Sequence, residues 1–340
     1  MDNVIASEAF SRERQRGGKQ SQWDCFVVEP DTGAGLVRRE SKTTSLQPPI
    51  FNLSKIMDIN RWLILVSIIA FCFALYQAAD ARTIENPADF NKNLTVKSAL
   101  VLEKRTGNVV FEKSAGEVRP IASLTKLMTA LVFLEYNPGW DKIVTLEKTD
   151  FVGGATLWLK KGDKVRVKDL FYAMLAGSKN NAAEALVRST GLKREKFIEL
   201  MNEKAQNWSL SNTIFYDTTG LDEKNVSTAE ELAKIARAAF GQMDVLKATT
   251  TKIYKVKPVN RRAAVSVKNT SLTILKKDLY VTGSKTGWTD EAGYNLVTQA
   301  KAGGRELIAV ALGGKNMAKD YEEVYQLLKK YLTSSKVAGK

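Results

Sequence analysis

The order of hydrophobic and polar residues after position 97 alternates between a strand pattern and a helix pattern. Residues 98–104 and 109–112 predict a β-hairpin, because two apolar runs flank a short segment that contains glycine. Residues 124–136 predict an amphipathic helix, because their apolar side chains recur three and four positions apart. Those side chains are Leu124, Leu127, Met128, Leu131 and Leu134. Strands and helices therefore occur together in this part of the chain.

The same patterns predict the remaining elements. Helices are expected at 167–176, 181–190, 194–207 and 228–240, and strands at 279–283, 293–300 and 306–312. A final helix at 317–333 has one apolar face and is expected to pack against the sheet, with a membrane-surface role as the alternative. We infer a mixed α/β fold in which an antiparallel sheet is flanked by helices. A helical insert around 140–240 would contain a loop at 175–180.

An apolar segment at 62–76 precedes all of these elements. It is uncharged and is followed by Ala79-Asp80-Ala81, the small-x-small pattern of a signal-peptidase site. Its 15 residues suit the apolar core of a signal peptide and fall short of the roughly 20 of a spanning helix. We therefore expect a secretory signal, with an uncleaved signal anchor as the alternative.

A signal peptide belongs at an N-terminus, whereas 56 residues precede Met57 in this sequence. We expect Met57 to be the true start and 1–56 to be an upstream polar extension from a mis-assigned start. The domain organisation would then be a signal peptide at 57–81 and one exported domain at 82–340.

Charge distinguishes the two parts of the chain. The sequence has 51 Lys and Arg, 37 Asp and Glu and a net charge of +14, whereas residues 1–81 hold nine basic and nine acidic residues. The excess of positive charge therefore belongs to 82–340. Such a field favours anionic partners, and export makes nucleic acid unsuitable, so we expect acidic wall polymers or a membrane surface. A solvated lysine-rich surface without a specific partner is the alternative.

The absence of histidine restricts the chemistry. A Ser-His-Asp triad, a His-ligated zinc site and a His general base are all excluded, and we expect no metal and no cofactor. Ser123 is the only serine that has a lysine, Lys126, three residues later. At the start of a helix this spacing puts the amine beside the hydroxyl, and the helix N-terminus favours negative charge on the serine oxygen. A capping serine with a surface lysine is the alternative.

Two further triplets change this picture. Ser178 and Asn180 place a hydroxyl and a carboxamide two residues apart, where they could relay a proton and hold a substrate amide. Lys285, Thr286 and Gly287 follow a predicted strand, and the glycine would let a substrate backbone lie close to the strand edge. In the order Ser-x-x-Lys, Ser-x-Asn, Lys-Thr-Gly, the three motifs are the set associated with penicillin-binding proteins and serine β-lactamases.

The chain resembles the low-molecular-mass penicillin-binding proteins of the D-alanyl-D-alanine carboxypeptidase family over about 98–333. The resemblance extends beyond the triplets to residues 122–130, 201–229 and 285–297. It implies a β-lactamase/transpeptidase-like fold and a serine-type carboxypeptidase that acts on peptidoglycan stem peptides. It also implies a periplasmic or extracellular location and inhibition by β-lactams.

The resemblance further implies how the bond is broken. Ser123 would be the nucleophile that attacks the penultimate D-Ala, and Lys126 would be its base. Burial and the neighbouring charge of Lys285 would both lower the pKa of Lys126, which makes a lysine base workable near neutral pH. Ser178 would pass the proton to the departing D-Ala.

The remaining motif residues would bind the substrate. Asn180 would hold the peptide, and Lys285 and Thr286 would bind its terminal carboxylate. The backbone N–H groups of Ser123 and Trp288 would form the oxyanion hole. The set of site residues implied by the family is therefore catalytic Ser123, Lys126 and Ser178, and substrate-binding Asn180, Lys285, Thr286, Gly287 and Trp288.

Two positions depart from the family pattern. Lys179 stands where a small residue is usual, and Asn181 stands where Asp is more usual. Both changes make the site more positive, and we expect weaker discrimination between substrates rather than lost activity. Only 53 residues follow Gly287 in this sequence, and relatives with a short C-terminal part include endopeptidases that cut cross-links.

Three other functions remain open on the sequence. A DD-endopeptidase would use the same acyl transfer with a different leaving group. A β-lactamase would need rapid deacylation, and no Glu-x-x-Leu-Asn stretch occurs between the second and third motifs. A non-catalytic wall-binding module would not need an intact set of Ser and Lys side chains, which this chain retains.

Overall fold

The computed structural model describes residues 63–64, 66–71 and 94–333, so the predicted extension at 1–56 and the predicted cleavage site lie outside the described residues. The chain divides into two compact units, Met1–Asp80 and Ala81–Lys340. In the first unit, residues 63–64 and 66–71 are helical. Within the described ranges, no helix combines the length and the apolar content that crossing a membrane requires.

The second unit alternates strands and helices. Its strands are β1 Ser98–Glu103, β2 Val109–Lys113, β3 Arg119–Pro120, β4 Ile143–Thr145, β5 Lys164–Arg166, β6 Val226–Ser227, β7 Ile253–Val256, β8 Val265–Lys268, β9 Tyr280–Thr289, β10 Gly293–Ala302 and β11 Arg305–Gly314. Its α-helices are α1 Lys126–Glu135, α2 Val167–Ala176, α3 Asn180–Ser189, α4 Arg194–Asn207, α5 Ala229–Ala239, α6 Met243–Thr250, α7 Leu272–Leu275 and α8 Met317–Thr333. Two 3-10 helices, Ala122–Thr125 and Lys148–Asp150, complete the set.

The main sheet has five antiparallel strands in the order β2-β1-β11-β10-β9. Its central strand β11 is buried on both faces, since successive side chains of a strand point to opposite sides. Leu307, Ala309 and Ala311 contact the cluster that includes α8, whereas Ile308 and Val310 contact the larger cluster that includes α1 and α5. This two-sided burial explains the continuous apolar run, and the predicted antiparallel sheet flanked by helices is confirmed.

The last helix, α8, begins and ends where the sequence predicted. Its apolar residues Val324, Leu327, Leu328 and Tyr331 are all buried against the sheet. The predicted packing role of this helix is therefore confirmed.

Several predicted boundaries were wrong. The strands expected at 279–283, 293–300 and 306–312 are each ten residues long, and the expected loop at 175–180 is limited to 177–179 between α2 and α3. The region 140–240 also contains the hairpin β4–β5, and helix α6 and the hairpin β7–β8 follow it. These hairpins have strands of only three or four residues, too short for alternation to stand out in a sequence.

Candidate active site

The turn that carries Ser123 lies between the β9 edge of the main sheet and helix α1. The structure places Ser123 in the 3-10 helix Ala122–Thr125, and Lys126 is the first residue of α1, so the turn is tighter than the α-helical one predicted. Ala122 holds a left-handed backbone with φ of 48°, an unfavourable conformation for a residue with a side chain. The strained turn presents the Ser123 hydroxyl at the start of the helix.

Lys126 is completely buried, and its ammonium nitrogen has three oxygen neighbours. Lys126 Nζ donates to Ser123 Oγ at 2.8 Å, to Asn180 Oδ1 at 2.8 Å and to the Thr219 carbonyl at 2.6 Å. A charged ammonium has three protons and satisfies all three oxygens. A neutral amine has two protons and one lone pair, so one contact must reverse, and only the Ser123 hydroxyl carries a proton to donate. The geometry therefore makes Ser123 the donor to a neutral Lys126.

The pKa of Lys126 is suited to that reversal. Burial lowers the pKa to about 7, although the carboxylates of Asp217 and Glu184 act in the opposite direction. Near neutral pH about half of the Lys126 amines are then neutral. Burial thus has the predicted effect, whereas the predicted influence of Lys285 on Lys126 is not among the main causes of the shift.

A second Ser–Lys pair faces the first. Ser178 lies in the loop 177–179 with a left-handed φ of 56°, and Lys285 lies on β9. Lys285 Nζ donates to Ser178 Oγ at 2.8 Å and to the carbonyl of Thr286 at 2.6 Å. Burial lowers the pKa of Lys285 well below its usual range, and the neighbouring charge of Lys126 lowers it further. An anionic substrate group beside Lys285 would offset this cost.

Asn180 contacts the first of these pairs. Its side-chain oxygen accepts from Lys126, and its Nδ2 donates to the carbonyl of Gly153 at 2.9 Å. Asn180 is also the first residue of α3, so the carboxamide is held at a helix start. One Nδ2 proton is left over for a substrate carbonyl, because the amide carries two.

Gly287 is required for a reason that the sequence did not reveal. A side chain there would place its Cβ 2.9 Å from the Ile121 carbonyl oxygen and 3.1 Å from Ser123 N. The glycine lets β9 pack against the turn that carries the nucleophile, whereas the sequence suggested an approach of the substrate backbone. Next to it, Trp288 is 54% exposed, and its ring lies 6.0 Å from that of Tyr294.

These groups surround a cleft of about 520 Å³. Six of the residues predicted to form the site line this cleft: Ser123, Ser178, Asn180, Thr286, Gly287 and Trp288. Lys126 and Lys285 lie behind the two serines, fully buried. The cleft therefore presents two hydroxyls, each backed by a buried amine. Thr286 at the cleft wall donates to Thr270 Oγ1 at 2.6 Å.

The loop 217–222 belongs to this site, and sequence reasoning gave it no role. The buried Asp217 carboxylate accepts from the backbone N–H groups of Thr219, Gly220, Leu221 and Asp222, at 2.5 to 3.0 Å. The loop so fixed supplies the Thr219 carbonyl that contacts Lys126. A carboxylate followed by four residues that include glycine is the signal that could have indicated such a loop.

Gly220 in this loop lies against the nucleophile turn. Its φ of 80° is left-handed, and a Cβ would lie 1.9 Å from the Ala122 carbonyl oxygen. Any other residue would therefore push the loop away from Ser123.

The two positions that depart from the family pattern differ in environment. Asn181 Oδ1 accepts from Leu157 N at 2.8 Å, and Asn181 Nδ2 donates to the Leu157 carbonyl at 3.0 Å. A carboxylate could make only the first of these contacts, so Asn suits this position. Through Leu157, Asn181 holds the segment that follows Gly154, a residue of the cleft wall. Lys179 is partly buried, which lowers its pKa, and it does not line the cleft. Among the described residues no cluster of His, Cys, Asp or Glu could hold a metal.

An antiparallel sheet flanked by helices, with a Ser-x-x-Lys turn and a Lys-Thr-Gly strand beside it, defines a protein of the penicillin-binding class. The chain belongs to the D-alanyl-D-alanine carboxypeptidase family, peptidase family S11, whose model matches residues 82–316. The family expected from the sequence is thereby confirmed.

The relatives include both carboxypeptidases and endopeptidases. A D-alanyl-D-alanine endopeptidase of Haemophilus influenzae is 36% identical over 195 residues, which cover 56% of this chain and 66% of that protein. The chain thus spans just under two thirds of that relative's length.

Two solved structures share the fold. The DD-transpeptidase of Streptomyces K15 has a TM-score of 0.66 at 29% identity, and the match covers 70% of this chain and 97% of that one. Penicillin-binding protein D2 of Listeria monocytogenes, solved with ampicillin bound, has a TM-score of 0.62 at 29% identity, covering 70% and 98%.

Proposed function

We propose that the protein is a serine-type D-alanyl-D-alanine carboxypeptidase that trims peptidoglycan stem peptides through an acyl-enzyme on Ser123. The observation that supports this most directly is the Ser123–Lys126 pair, 2.8 Å apart at the back of an open cleft. The pKa of Lys126, lowered to about 7 by burial, makes its amine a competent base near neutral pH.

Acylation forms one C–O bond, breaks one C–N bond and moves one proton from the Ser123 hydroxyl to the departing amine. Ser123 Oγ attacks the carbonyl carbon of the penultimate D-Ala while its proton passes to Lys126. The C–N bond to the terminal D-Ala then breaks, and the proton that Lys126 received passes through Ser178, which Lys285 contacts at 2.8 Å, to the departing amine. Hydrolysis of the ester by water releases the shortened peptide and restores the Ser123 hydroxyl.

The remaining site residues orient the substrate. Lys285 and Thr286 bind the carboxylate of the terminal D-Ala, and Asn180 donates its free amide proton to the peptide. The backbone N–H groups of Ser123 and Trp288 stabilise the negative charge on the attacked carbonyl oxygen. Each such donor is worth on the order of 3 kcal/mol of barrier.

A DD-endopeptidase is the second candidate. It is favoured by the Haemophilus influenzae relative, which is 36% identical over 195 residues and is named an endopeptidase. The acyl-enzyme is the same in both functions, because only the group that leaves after attack differs: free D-Ala in one, a cross-linked peptide in the other.

The enzyme would act outside the cytoplasm, in the periplasm or the extracellular wall space. In this organisation 57–81 is a signal peptide, 1–56 is an upstream extension, and 82–340 is the catalytic domain. Two observations support the last boundary: the family match begins at residue 82, and the second compact unit begins at Ala81.

The intact mass of the full chain after addition of benzylpenicillin tests the acyl-enzyme. We expect a one-to-one adduct in the wild type and in the matched control Ser266→Ala, whose serine is exposed, and none in Ser123→Ala. Absence of an adduct on folded wild-type protein would contradict the acyl-enzyme and favour a wall-binding module. Rapid loss of the adduct with hydrolysed penicillin would indicate a β-lactamase.

Purified muropeptides then distinguish the two peptidase functions. Release of D-Ala from a monomeric pentapeptide identifies the carboxypeptidase. Conversion of a cross-linked dimer into monomers without release of D-Ala identifies the endopeptidase and would contradict our first proposal.

A further inference from the structure

The positive charge of the chain is concentrated in two segments that lie outside the cleft. Residues 160–168 and 252–268 together hold eleven Lys and Arg and a single acidic residue, a net charge of +10 against +14 for the whole chain. We call the Lys and Arg side chains of these two segments the basic face. The acidic residue, Asp163, is buried and forms an ion pair with Arg261. Within 94–333 no ion pair involves the other ten cations.

Two short hairpins direct these cations toward the solvent. In β7–β8, Lys255 lies opposite Ser266 and Ile253 lies opposite Lys268, and all four side chains are exposed. The alternate positions of the hairpin point inward, as the buried Val267 shows. One side of the hairpin is therefore held by the core, and the other is presented to the solvent.

The hairpin β4–β5 repeats this arrangement. Arg166 lies opposite Ile143, and Lys164 lies opposite Thr145, with all four exposed, whereas Val165 is buried. Opposite residues of an antiparallel pair have neighbouring side chains on one face. Each hairpin thus pairs an exposed isoleucine with a cation.

The two hairpins form one continuous surface. Val259 N, in the loop after β7, donates to the Lys164 carbonyl at 2.7 Å. The side chain of Asn260 in the same loop accepts from Lys164 N at 2.8 Å and donates to the Gly162 carbonyl at 3.0 Å. Both hairpins also pack against α2. These hydrogen bonds join the two segments that carry the cations.

Exposed apolar side chains are interspersed with the cations. Ile253 is 58% exposed, Ile143 48% and Val259 46%. A soluble polyanion attracts cations but gains little from aliphatic side chains. A bilayer with anionic lipids gains from both, because Lys and Arg approach the phosphates while aliphatic groups enter the headgroup region. The combination therefore favours a bilayer over an acidic wall polymer.

We propose that the basic face is a docking surface for the leaflet of a membrane that carries anionic phospholipids. None of its cations lines the cleft, so docking leaves the cleft open. The inward side of β7–β8 is close to the site, since a Cβ on Gly177 would lie 2.2 Å from Val267 Cγ1. The hairpin β7–β8 therefore carries part of the docking surface on one side and packs against the loop of Ser178 on the other. This inference does not depend on the proposed peptidase activity.

Site-resolved acetylation of lysines in the full chain tests the proposal. An amine-reactive reagent is applied with vesicles of phosphatidylcholine alone or of phosphatidylcholine mixed with phosphatidylglycerol, and each lysine is quantified by mass spectrometry. This local readout distinguishes the basic face from the apolar segment 62–76, which is present in every sample. The comparison lysines are Lys234 on α5 and Lys315 after β11, both exposed and outside the face.

Vesicles that contain phosphatidylglycerol are expected to slow acetylation of Lys164, Lys255 and Lys268 at least fivefold. One cation contributes about 1 kcal/mol to membrane binding, which corresponds to a factor of about five. Lys234 and Lys315 should be unchanged, and added salt should abolish the protection, because screening shortens the range of the attraction below about 8 Å. Equal rates in both kinds of vesicle would overturn the proposal. Protection by soluble polyphosphate but not by vesicles would also overturn it and would assign the face to a wall polymer.

Two variants separate the contributions of charge and apolar side chains. The double change Lys255→Glu with Lys257→Glu should remove most of the protection of Lys164 and Lys268, because each lost cation weakens binding about fivefold. Ile253→Ser should weaken protection by vesicles and leave that by polyphosphate unchanged, whereas the control Ile214→Ser, 44% exposed and outside the face, should change neither. An Ile253→Ser protein that vesicles protect as well as the wild type would contradict docking on a bilayer. Unchanged circular dichroism confirms that each exposed substitution leaves the fold intact.

Discussion

Lysine occupies two contrasting environments in this molecule. In the site, Lys126 and Lys285 are fully buried, and burial lowers the pKa of both. On the basic face, Lys255 and Lys268 are exposed to water at the surface of a hairpin. The same side chain therefore serves two purposes. Burial beside a hydroxyl converts it into a base, whereas exposure leaves it a solvated cation that acts at a distance.

The difference shows what each environment must supply. A buried ammonium is costly unless it has hydrogen-bond acceptors, and Lys126 has three, one of them the Thr219 carbonyl fixed by Asp217. An exposed ammonium needs no partner, so two short hairpins and the residues that flank them are enough to present the basic face. Four experiments test whether burial accounts for this difference between the lysines.

Removing the buried amine should have the largest effect. Lys126→Met keeps most of the length of the side chain and removes the base, so acylation by benzylpenicillin should slow by about 10³-fold. The same measurement on Lys255→Met, on the basic face, should give the wild-type rate. Intact mass against time measures both, and thermal unfolding verifies that the variants are folded. A Lys126→Met protein that acylates within tenfold of the wild type would contradict the role of Lys126 as base.

The pH dependence of acylation should follow the protonation of Lys126. Only the neutral amine accepts a proton, and its pKa is about 7, so the rate should fall about tenfold per pH unit below pH 7. Asp217 and Glu184 raise the pKa of Lys126, so Glu184→Gln and Asp217→Asn should each lower this pKa. The acid limb of the profile, where the rate falls with falling pH, should then move to lower pH by about one unit.

Glu184→Gln is the cleaner of these variants, because the Glu184 carboxylate accepts from Thr218 and Arg194 and makes none of the backbone contacts that fix the loop. The exposed carboxylate of Glu223 gives the control Glu223→Gln, which should leave the limb in place. An acid limb that stays at the same pH in both site variants would show that another group controls the profile.

Lys179 has an intermediate environment and should have an intermediate effect. It is partly buried in the loop that also carries Ser178, and it does not line the cleft. Lys179→Ala should therefore change KM for a D-Ala-D-Ala peptide severalfold and leave kcat within about twofold, since removal of one nearby charge alters binding more than chemistry. Lys160→Ala on the basic face serves as the control. A fall in kcat larger than the change in KM would refute this assignment.

The sequence predicted the parts of this molecule that depend on side-chain type and regular spacing. The long helices α4 and α8 have the predicted bounds, and Ser123 and Lys126 lie where a three-residue spacing puts them. The features that the sequence did not predict act through the backbone. Asp217 accepts from four backbone N–H groups, and Gly287 lets β9 approach the turn of Ser123 closely. Neither feature produces a hydrophobic pattern in the sequence.

The basic face illustrates the same limit. A count of charges predicted an excess of cations after residue 81 but not their location, because the hairpins that gather them have strands of three and four residues. One backbone hydrogen bond between Val259 and Lys164, with the contacts of the Asn260 side chain, joins the two segments across nearly a hundred positions of sequence. Such a contact is a property of the fold rather than of either segment.

Changing the exposed lysines should have the smallest effect on the chemistry. Lys255→Glu with Lys257→Glu reverses two exposed charges, and salt screens exposed charges beyond about 8 Å. Acylation by benzylpenicillin, a small soluble reagent, should therefore change by less than about twofold, although docking on anionic vesicles is weakened. If acylation falls as steeply as in Lys126→Met, the two environments are coupled through the hairpin that packs against Gly177. If acylation keeps the wild-type rate, burial alone accounts for the difference between Lys126, which acts as a base, and the exposed lysines, which attract anions.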